Sequence, residues 1–273
     1  MAQAKRGLTP PWKPDHVADR VAATAATILV ARRRSGAQGP RLPKSCRPSN
    51  LDAALAIQAA VSEQLGDGIA AWKCGLPAAG RLVLAPIYAV TVHTIDTSAP
   101  CAVWVRAGHA RVEPELAFIL GRDLPVRELP YMPAEVDAAI ARTHLALELI
   151  DSRYSDAADA SFAENLADGL LNQGLFIGPQ VDAGQASATS DMTIRITRAT
   201  GEVTLLEGHH PSTDPRAPLY WLAEFLRSNG QGLQAGQAII TGSYAGNVDL
   251  PIGEDIAIQY GSLGTLTVHF VQK

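Results

Sequence analysis

The chain has 273 residues, 47% of them apolar and 18% charged, with a formal net charge of −4. That length holds one large domain, or a small one beside a larger one, with ample material for a core. The mild negative charge gives no electrostatic case for nucleic acid or an anionic membrane, and the longest apolar runs fall far short of a membrane span.

Two helices are expected first. Asp15 to Arg34 carries Val17, Val21, Ala25 and Ile28 or Leu29 at helical spacing, and Arg32-Arg33-Arg34 would complement the dipole at its end. The second begins at Ser49, which with Asp52 matches a capping-box spacing, and stops at Gly66. Between them Ser35 to Pro48, rich in Gly, Pro and basic residues, reads as an exposed loop. From Gly68 the texture changes to short β-like runs: Ile69–Cys74, Val83–Val92, Val112–Leu120, Leu145–Ile150, Gly174–Ile177, Met192–Thr197 and Val203–Glu207. Gln237–Thr241, Asp255–Tyr260 and Gly264–Val271 complete the series, the last two joined by a hairpin-like Gly261-Ser262-Leu263-Gly264. Helices over Pro133 to Arg142 and Pro218 to Ser228 interrupt it. So many strands with so few interposed helices argue against a doubly wound parallel sheet. Cys46, Cys74 and Cys101 form no metal-ligand spacing and an odd count, which speaks against a disulfide framework. The polar, proline-rich start does not look like a signal peptide, so a reducing cytoplasmic setting is expected.

Charges stranded in apolar runs are the functional signal, because burying them is costly unless they are paired or bound to a metal. Arg111 to Leu120 reads R-V-E-P-E-L-A-F-I-L, and in a strand Glu113 and Glu115 share a face. Pro114 between them suits an edge strand or a bulge. Glu148 stands in Leu145-Ala-Leu-Glu-Leu-Ile, and Lys73 in Ile69-Ala-Ala-Trp-Lys-Cys with no neighbouring acid. Three glutamates would make a hard, all-oxygen site suited to Mg²⁺ or Mn²⁺. The lysine would anchor a substrate carboxylate or, with its pKa lowered by burial, exchange protons. The plainer alternatives are a wet strand edge and a structural Lys73–Glu148 ion pair. His209-His210 would point apart in extended chain, His144 suits a core position, and His109 lies either near Glu113 or in an exposed loop. No Gly-x-Ser-x-Gly elbow or serine triad is present.

Val112 to Leu124 (V-E-P-E-L-A-F-I-L-G-R-D-L) resembles the signature of the 2-keto-4-pentenoate hydratase and 4-oxalocrotonate decarboxylase group, within the fumarylacetoacetate hydrolase superfamily. Further blocks follow in the same order: A-W-K-C-G-L, L-E-L-I-D-S-R-Y, L-A-D-G-L-L-N-Q-G-L-F-I-G, and the stretch from Pro218 to Ser243. The resemblance covers nearly the whole chain. It implies an α+β fold, a mixed β-sandwich or β-roll with a smaller helical N-terminal region (residues 1–67) before a mixed-β catalytic domain (residues 68–273), assembled into homo-oligomers. By the same resemblance the metal ligands fall on Glu113, Glu115 and Glu148, the active-site lysine on Lys73, and the substrate-pocket border on Thr241 and Ser243.

Two departures stand out. Leu76 to Ala85 contains no Asp or Glu, where family hydratases usually carry a longer loop with an acidic residue. Leu55 occupies a position where the family often has tyrosine. The expected function is therefore a Mg²⁺- or Mn²⁺-dependent hydratase-like lyase acting on a small 2-hydroxy-dienoate or 2-oxo acid in aromatic catabolism, with the acid–base partner supplied from elsewhere. His109, Asp151 and Asp168 are the first candidates for it. The alternatives are decarboxylation of a 2-oxo-enoate dioate, carbon–carbon hydrolysis of an acylpyruvate, or a non-catalytic partner subunit. A dioate would need a second cation, with Arg81, Arg111 and Arg153 as candidates.

Overall fold

The computed structural model describes residues 16–95, 99–156 and 158–273. Helices α1 (His16–Ser35) and α2 (Leu51–Leu65) come first. The cap of α2 is Asn50, not Ser49: its Oδ1 accepts the Ala53 N–H at 2.8 Å, and Gly66, at φ 66°, ends the helix. Strands β1 (Ile69–Cys74), β2 (Leu84–Tyr88), β3 (Val92–Thr94), β4 (Cys101–Val103) and β5 (His109–Leu120) follow. Next come α3 (Pro133–Asp137), β6 (Ile140–Ile150), α4 (Phe162–Ala167), β7 (Asn172–Val181) and α5 (Ala183–Ser187). The chain ends through β8 (Asp191–Arg198), β9 (Val203–His209), α6 (Ala217–Ser228), β10 (Ala238–Ile240), β11 (Val248–Pro251), β12 (Asp255–Tyr260) and β13 (Gly264–Gln272).

The strands form two mixed sheets. An eight-stranded sheet runs β2-β1-β10-β5-β6-β7-β3, with β11 also on β5, and a five-stranded sheet runs β4-β13-β12-β8-β9. One face of the large sheet packs Leu116, Phe118, Leu145 and Leu147 into the same core as Ile256, Ile258, Leu266 and Phe270 of the small sheet. Its other face gathers Ala71, Ile87, Ala117, Ala146, Leu175, Ala238 and Ile240 into a second buried cluster. Because side chains alternate along a strand, Lys73 continues the row of Ala71, Glu115 and Glu113 that of Ala117, and Glu148 that of Ala146. The charged residues thus extend the small-residue face at one end.

Several local expectations change. The helix expected over Pro133 to Arg142 stops at Asp137, and β6 begins at Ile140, because pairing with β5 outweighs local helix preference. The run Val83–Val92 breaks after Tyr88 into a short 3₁₀ turn, where Thr91 Oγ1 donates to the Tyr88 carbonyl at 2.8 Å. The Ser35–Pro48 loop is not simply exposed, since Leu42 and Cys46 are buried in the core. Strands β4 and β11 and helices α4 and α5 were not anticipated; each is too short for periodicity to register. All three cysteines are free and buried. Among the described residues no helix is long and apolar enough to cross a membrane.

Candidate metal centre

Glu113 and Glu148 are direct cross-strand partners in the β5–β6 ladder, and Glu115 lies opposite Ala146. Like charges set face to face in a ladder repel. One oxygen from each of the three carboxylates lies within 4.8 Å of the others. Pro114 sits not on an outer strand but in a gap within the sheet: β11 pairs residues 109–112 of β5 and β10 pairs 117–119, which leaves 113–116 without a strand partner on that side. A residue without an N–H suits that gap. Backbone of the following turn fills it, with Tyr244 N–H donating to the Pro114 carbonyl at 2.9 Å and Gly242 N–H to Glu115 Oε2 at 2.7 Å. Gly242 is required there, since at φ 139° a Cβ would meet Pro211 Cγ at 2.5 Å.

Glu148 is fully buried and its two oxygens are treated differently. Oε1 accepts from Lys73 Nζ at 2.6 Å and from Asn172 Nδ2 at 2.9 Å, while Oε2 is buried with no hydrogen-bond partner. Lys73 Nζ also donates to the Leu170 carbonyl at 3.3 Å. Three carboxylates against one ammonium make a formal excess of two negative charges. Burial, then the neighbouring Glu148, pushes the Glu113 carboxyl up to about 6. Burial followed by Glu148 and Glu113 holds Glu115 well above the usual carboxylate range. For Lys73, burial pulls downward, but Glu148, Glu113 and Glu115 together outweigh it and raise the ammonium above its ordinary value. The lysine is therefore a held cation, contrary to the lowered pKa expected from burial alone.

These residues fit a hard divalent cation. The donors are all carboxylate oxygens, the formal charge excess is two, and an unpartnered buried oxygen sits among them.

Thr241 Oγ1 lies 3.4 Å from Nε2 of the buried His210, and Ser243 Oγ lies 3.3 and 3.2 Å from the Pro114 and Gly246 carbonyls, either of which can accept its proton. His109 is exposed at the start of β5, its ring against the Ala107 carbonyl. Asp151 takes a two-point contact from Arg106, and Asp168 is held by Arg153 and Arg33. Arg111 forms a two-point pair with Asp249, and Arg81 lies over the Phe162 ring. Arg33 thus does more than end α1. Asn172, the Leu170 carbonyl and the Gly242 N–H were missed. Two are backbone groups with no sequence signature, and Asn172 offered only a polar residue opening an apolar run.

A family model described as fumarylacetoacetate (FAA) hydrolase C-terminal matches residues 57–271. A 4-oxalocrotonate decarboxylase from Pseudomonas sp. is 28% identical over 178 residues, covering 60% of this chain and 66% of the relative. The 2-keto-4-pentenoate hydratase 2 of Dechloromonas aromatica is 28% identical over 162 residues, covering 59% and 60%. The match thus spans less than two thirds of the length of either relative. Among solved structures, 4-oxalocrotonate decarboxylase from Pseudomonas putida G7, complexed with magnesium and adipate, superposes with a TM-score of 0.71 at 18% identity, covering 92% of this chain and 98% of that one. The fold is shared with that enzyme, and the chain belongs to the fumarylacetoacetate hydrolase family.

Proposed function

We propose that this chain is a divalent-metal-dependent, hydratase-like lyase acting on a small 2-hydroxy-dienoate or 2-oxo acid in aromatic catabolism. The observation that carries the reading is the division of labour on Glu148, whose Oε1 is fixed by Lys73 and Asn172 while Oε2 is left free beside Glu113 and Glu115. The three glutamates would hold Mg²⁺ or Mn²⁺, which when bound supplies Lewis-acid polarisation of the substrate's 2-oxygen and carboxylate. Lys73 orients the substrate and carries the proton: Nζ delivers one to the terminal carbon as enol becomes ketone, and the enol hydroxyl's proton replaces it. Water then adds across the remaining conjugated double bond. The Leu76–Ala85 segment carries no acid, Asp151 and Asp168 are tied to arginines, and His109 is exposed at the start of β5 against the Ala107 carbonyl, which supports giving this role to the lysine. By the family resemblance Thr241 and Ser243 would border the substrate, although both hydroxyls face protein partners. The setting is cytoplasmic and the assembly a homo-oligomer.

A second reading, decarboxylation of a 2-oxo-enoate dioate, is supported by the likeness to the decarboxylase. It needs a second cation; Arg111 and Arg153 are engaged with aspartates, and Arg81, which lies over the Phe162 ring, is the candidate without an acidic partner among the described residues. The test is purified protein with Mg²⁺ or Mn²⁺ and 2-hydroxypenta-2,4-dienoate, followed by loss of the conjugated absorbance. Loss that depends on metal supports hydration. Carbon dioxide released from a dioate, with no turnover of the monoacid, would replace it by the second reading. Inertness toward every dienoate and acylpyruvate would leave a non-catalytic scaffold.

A further inference from the structure

Between α4 and β7 the backbone makes an unusual excursion. Gly169, Leu170 and Leu171 run consecutively in the left-handed region, at φ 78°, 53° and 68°. Glycine adopts that conformation freely, whereas leucine resists it, because its Cβ crowds the following carbonyl. Such backbone persists only where its surroundings over-determine it. The excursion delivers two of the protein groups that steady the metal-facing side chains: the Leu170 carbonyl receives Lys73 Nζ, and the Asn172 amide donates to Glu148 Oε1.

A buried charged clamp lies at the start of this turn. Asp168 is 1% exposed and Arg153 3%, with Arg153 Nε 2.5 Å from Asp168 Oδ2 and its Nη2 donating to the Asp168 carbonyl at 3.0 Å. Arg33, arriving from the end of α1, brackets both ends. Its Nε lies 3.3 Å from Asp168 Oδ1, its Nη2 donates to the Asp168 carbonyl, and its Nη1 donates to the Asn172 carbonyl at 3.3 Å. Inside the bracket, Leu170 N–H donates to the Asn165 carbonyl at 2.7 Å and Asn172 N–H to the Gly169 carbonyl at 3.1 Å.

We propose that Asp168, gripped between Arg33 and Arg153, is a positioning residue for the metal centre: it holds the left-handed turn that sets Lys73 and Glu148. The inference rests on the metal reading of the three glutamates. The clamp is spent on geometry. It keeps Glu148 Oε1 occupied and Oε2 free, so that a cation meets a preformed oxygen. A second partner set that orients a metal-directed side chain typically governs affinity by about 10–100-fold.

The decisive experiment pairs Asp168→Asn with Leu171→Gly, a half-exposed position where glycine removes the left-handed penalty at small packing loss. Calorimetric titration with Mn²⁺ alone should show Asp168→Asn weakening affinity by about tenfold or more. Adding Leu171→Gly should recover about tenfold, because the turn then needs less holding. Hydrogen exchange on the metal-free proteins should show faster exchange over residues 165–175 in Asp168→Asn, and recovery in the double variant. A folded Asp168→Asn with wild-type Mn²⁺ affinity and wild-type exchange overturns the proposal. Lost affinity that Leu171→Gly does not restore overturns it equally, since the effect then bypasses the turn. Should Asp168→Asn fail to fold, Arg33→Gln removes one arm and is read the same way. A wild-type protein that binds no Mn²⁺ would sink the metal reading, while the exchange comparison would still decide whether the clamp holds the turn.

Discussion

Two buried carboxylates invite comparison. Glu164, at the start of α4, and Glu148, in β6, are both fully buried. Glu164 Oε2 takes donors from Arg41 at 2.9 and 2.5 Å and from the Ser161 N–H at 3.0 Å, and Arg47 lies 3.3 Å from Oε1. Burial pushes its carboxyl up, but the Arg41 and Ser161 contacts outweigh that and hold it below the usual range. Around Glu148 the balance is reversed: each of the two glutamates keeps one oxygen outside any hydrogen bond, but that of Glu164 has Arg47 beside it, whereas a single lysine serves the three carboxylates around Glu148. A buried charge alone therefore marks nothing. Compensation marks structure, and its deliberate shortfall marks a place for a cation.

The comparison breaks if the two kinds of site respond alike. The largest effect is expected at the centre, where Glu115→Gln should lower Mn²⁺ affinity at least about 100-fold in a calorimetric titration. The same substitution should raise the Tm of the metal-free protein by about 2–4 °C, because it relieves about 1 kcal/mol of repulsion. Wild-type metal binding in that variant would sink the assignment of the ligands. Glu164→Gln should do the opposite, destabilising by about 3 kcal/mol in denaturant melts with Mn²⁺ affinity unchanged in the folded fraction. Saturating Mg²⁺ or Mn²⁺, at about 100 times the dissociation constant, should stabilise the wild type by about 2.7 kcal/mol, read as a rise in Tm.

Acid should sharpen the contrast. Glu113 titrates at about 6 in the folded chain against an ordinary 4.5, so between those values the folded state binds more protons than the unfolded one. Stability of the metal-free protein therefore rises as pH falls through 6, while protons compete with the metal. The metal-dependent gain in Tm should shrink across that window. Glu164, displaced downward, contributes stability that is lost only as pH falls below the ordinary carboxylate value, so its anchor survives the same change. The smallest effect belongs to the exposed Arg111–Asp249 pair, where Arg111→Ala should cost at most about 1 kcal/mol in melts and leave metal binding intact.

The sequence by itself determined much of this protein. Alternation placed Glu113 and Glu115 on one strand face, stranded charges singled out Glu148 and Lys73, and ordered motif blocks indicated the family. Local periodicity carries that information because each strand must keep one face in a core. Only the tertiary structure decided the rest. It set Glu113 opposite Glu148, aligned the proline with a gap between β10 and β11, and, of the two roles open to Lys73, favoured the held cation over the lowered-pKa proton exchanger. It also brought Arg33 of α1 to Asp168, 135 residues away, and used backbone groups at Leu170 and Gly242 as partners. Main-chain donors and acceptors are identical at every residue, so which of them reach a site is written in the fold and not in the local sequence.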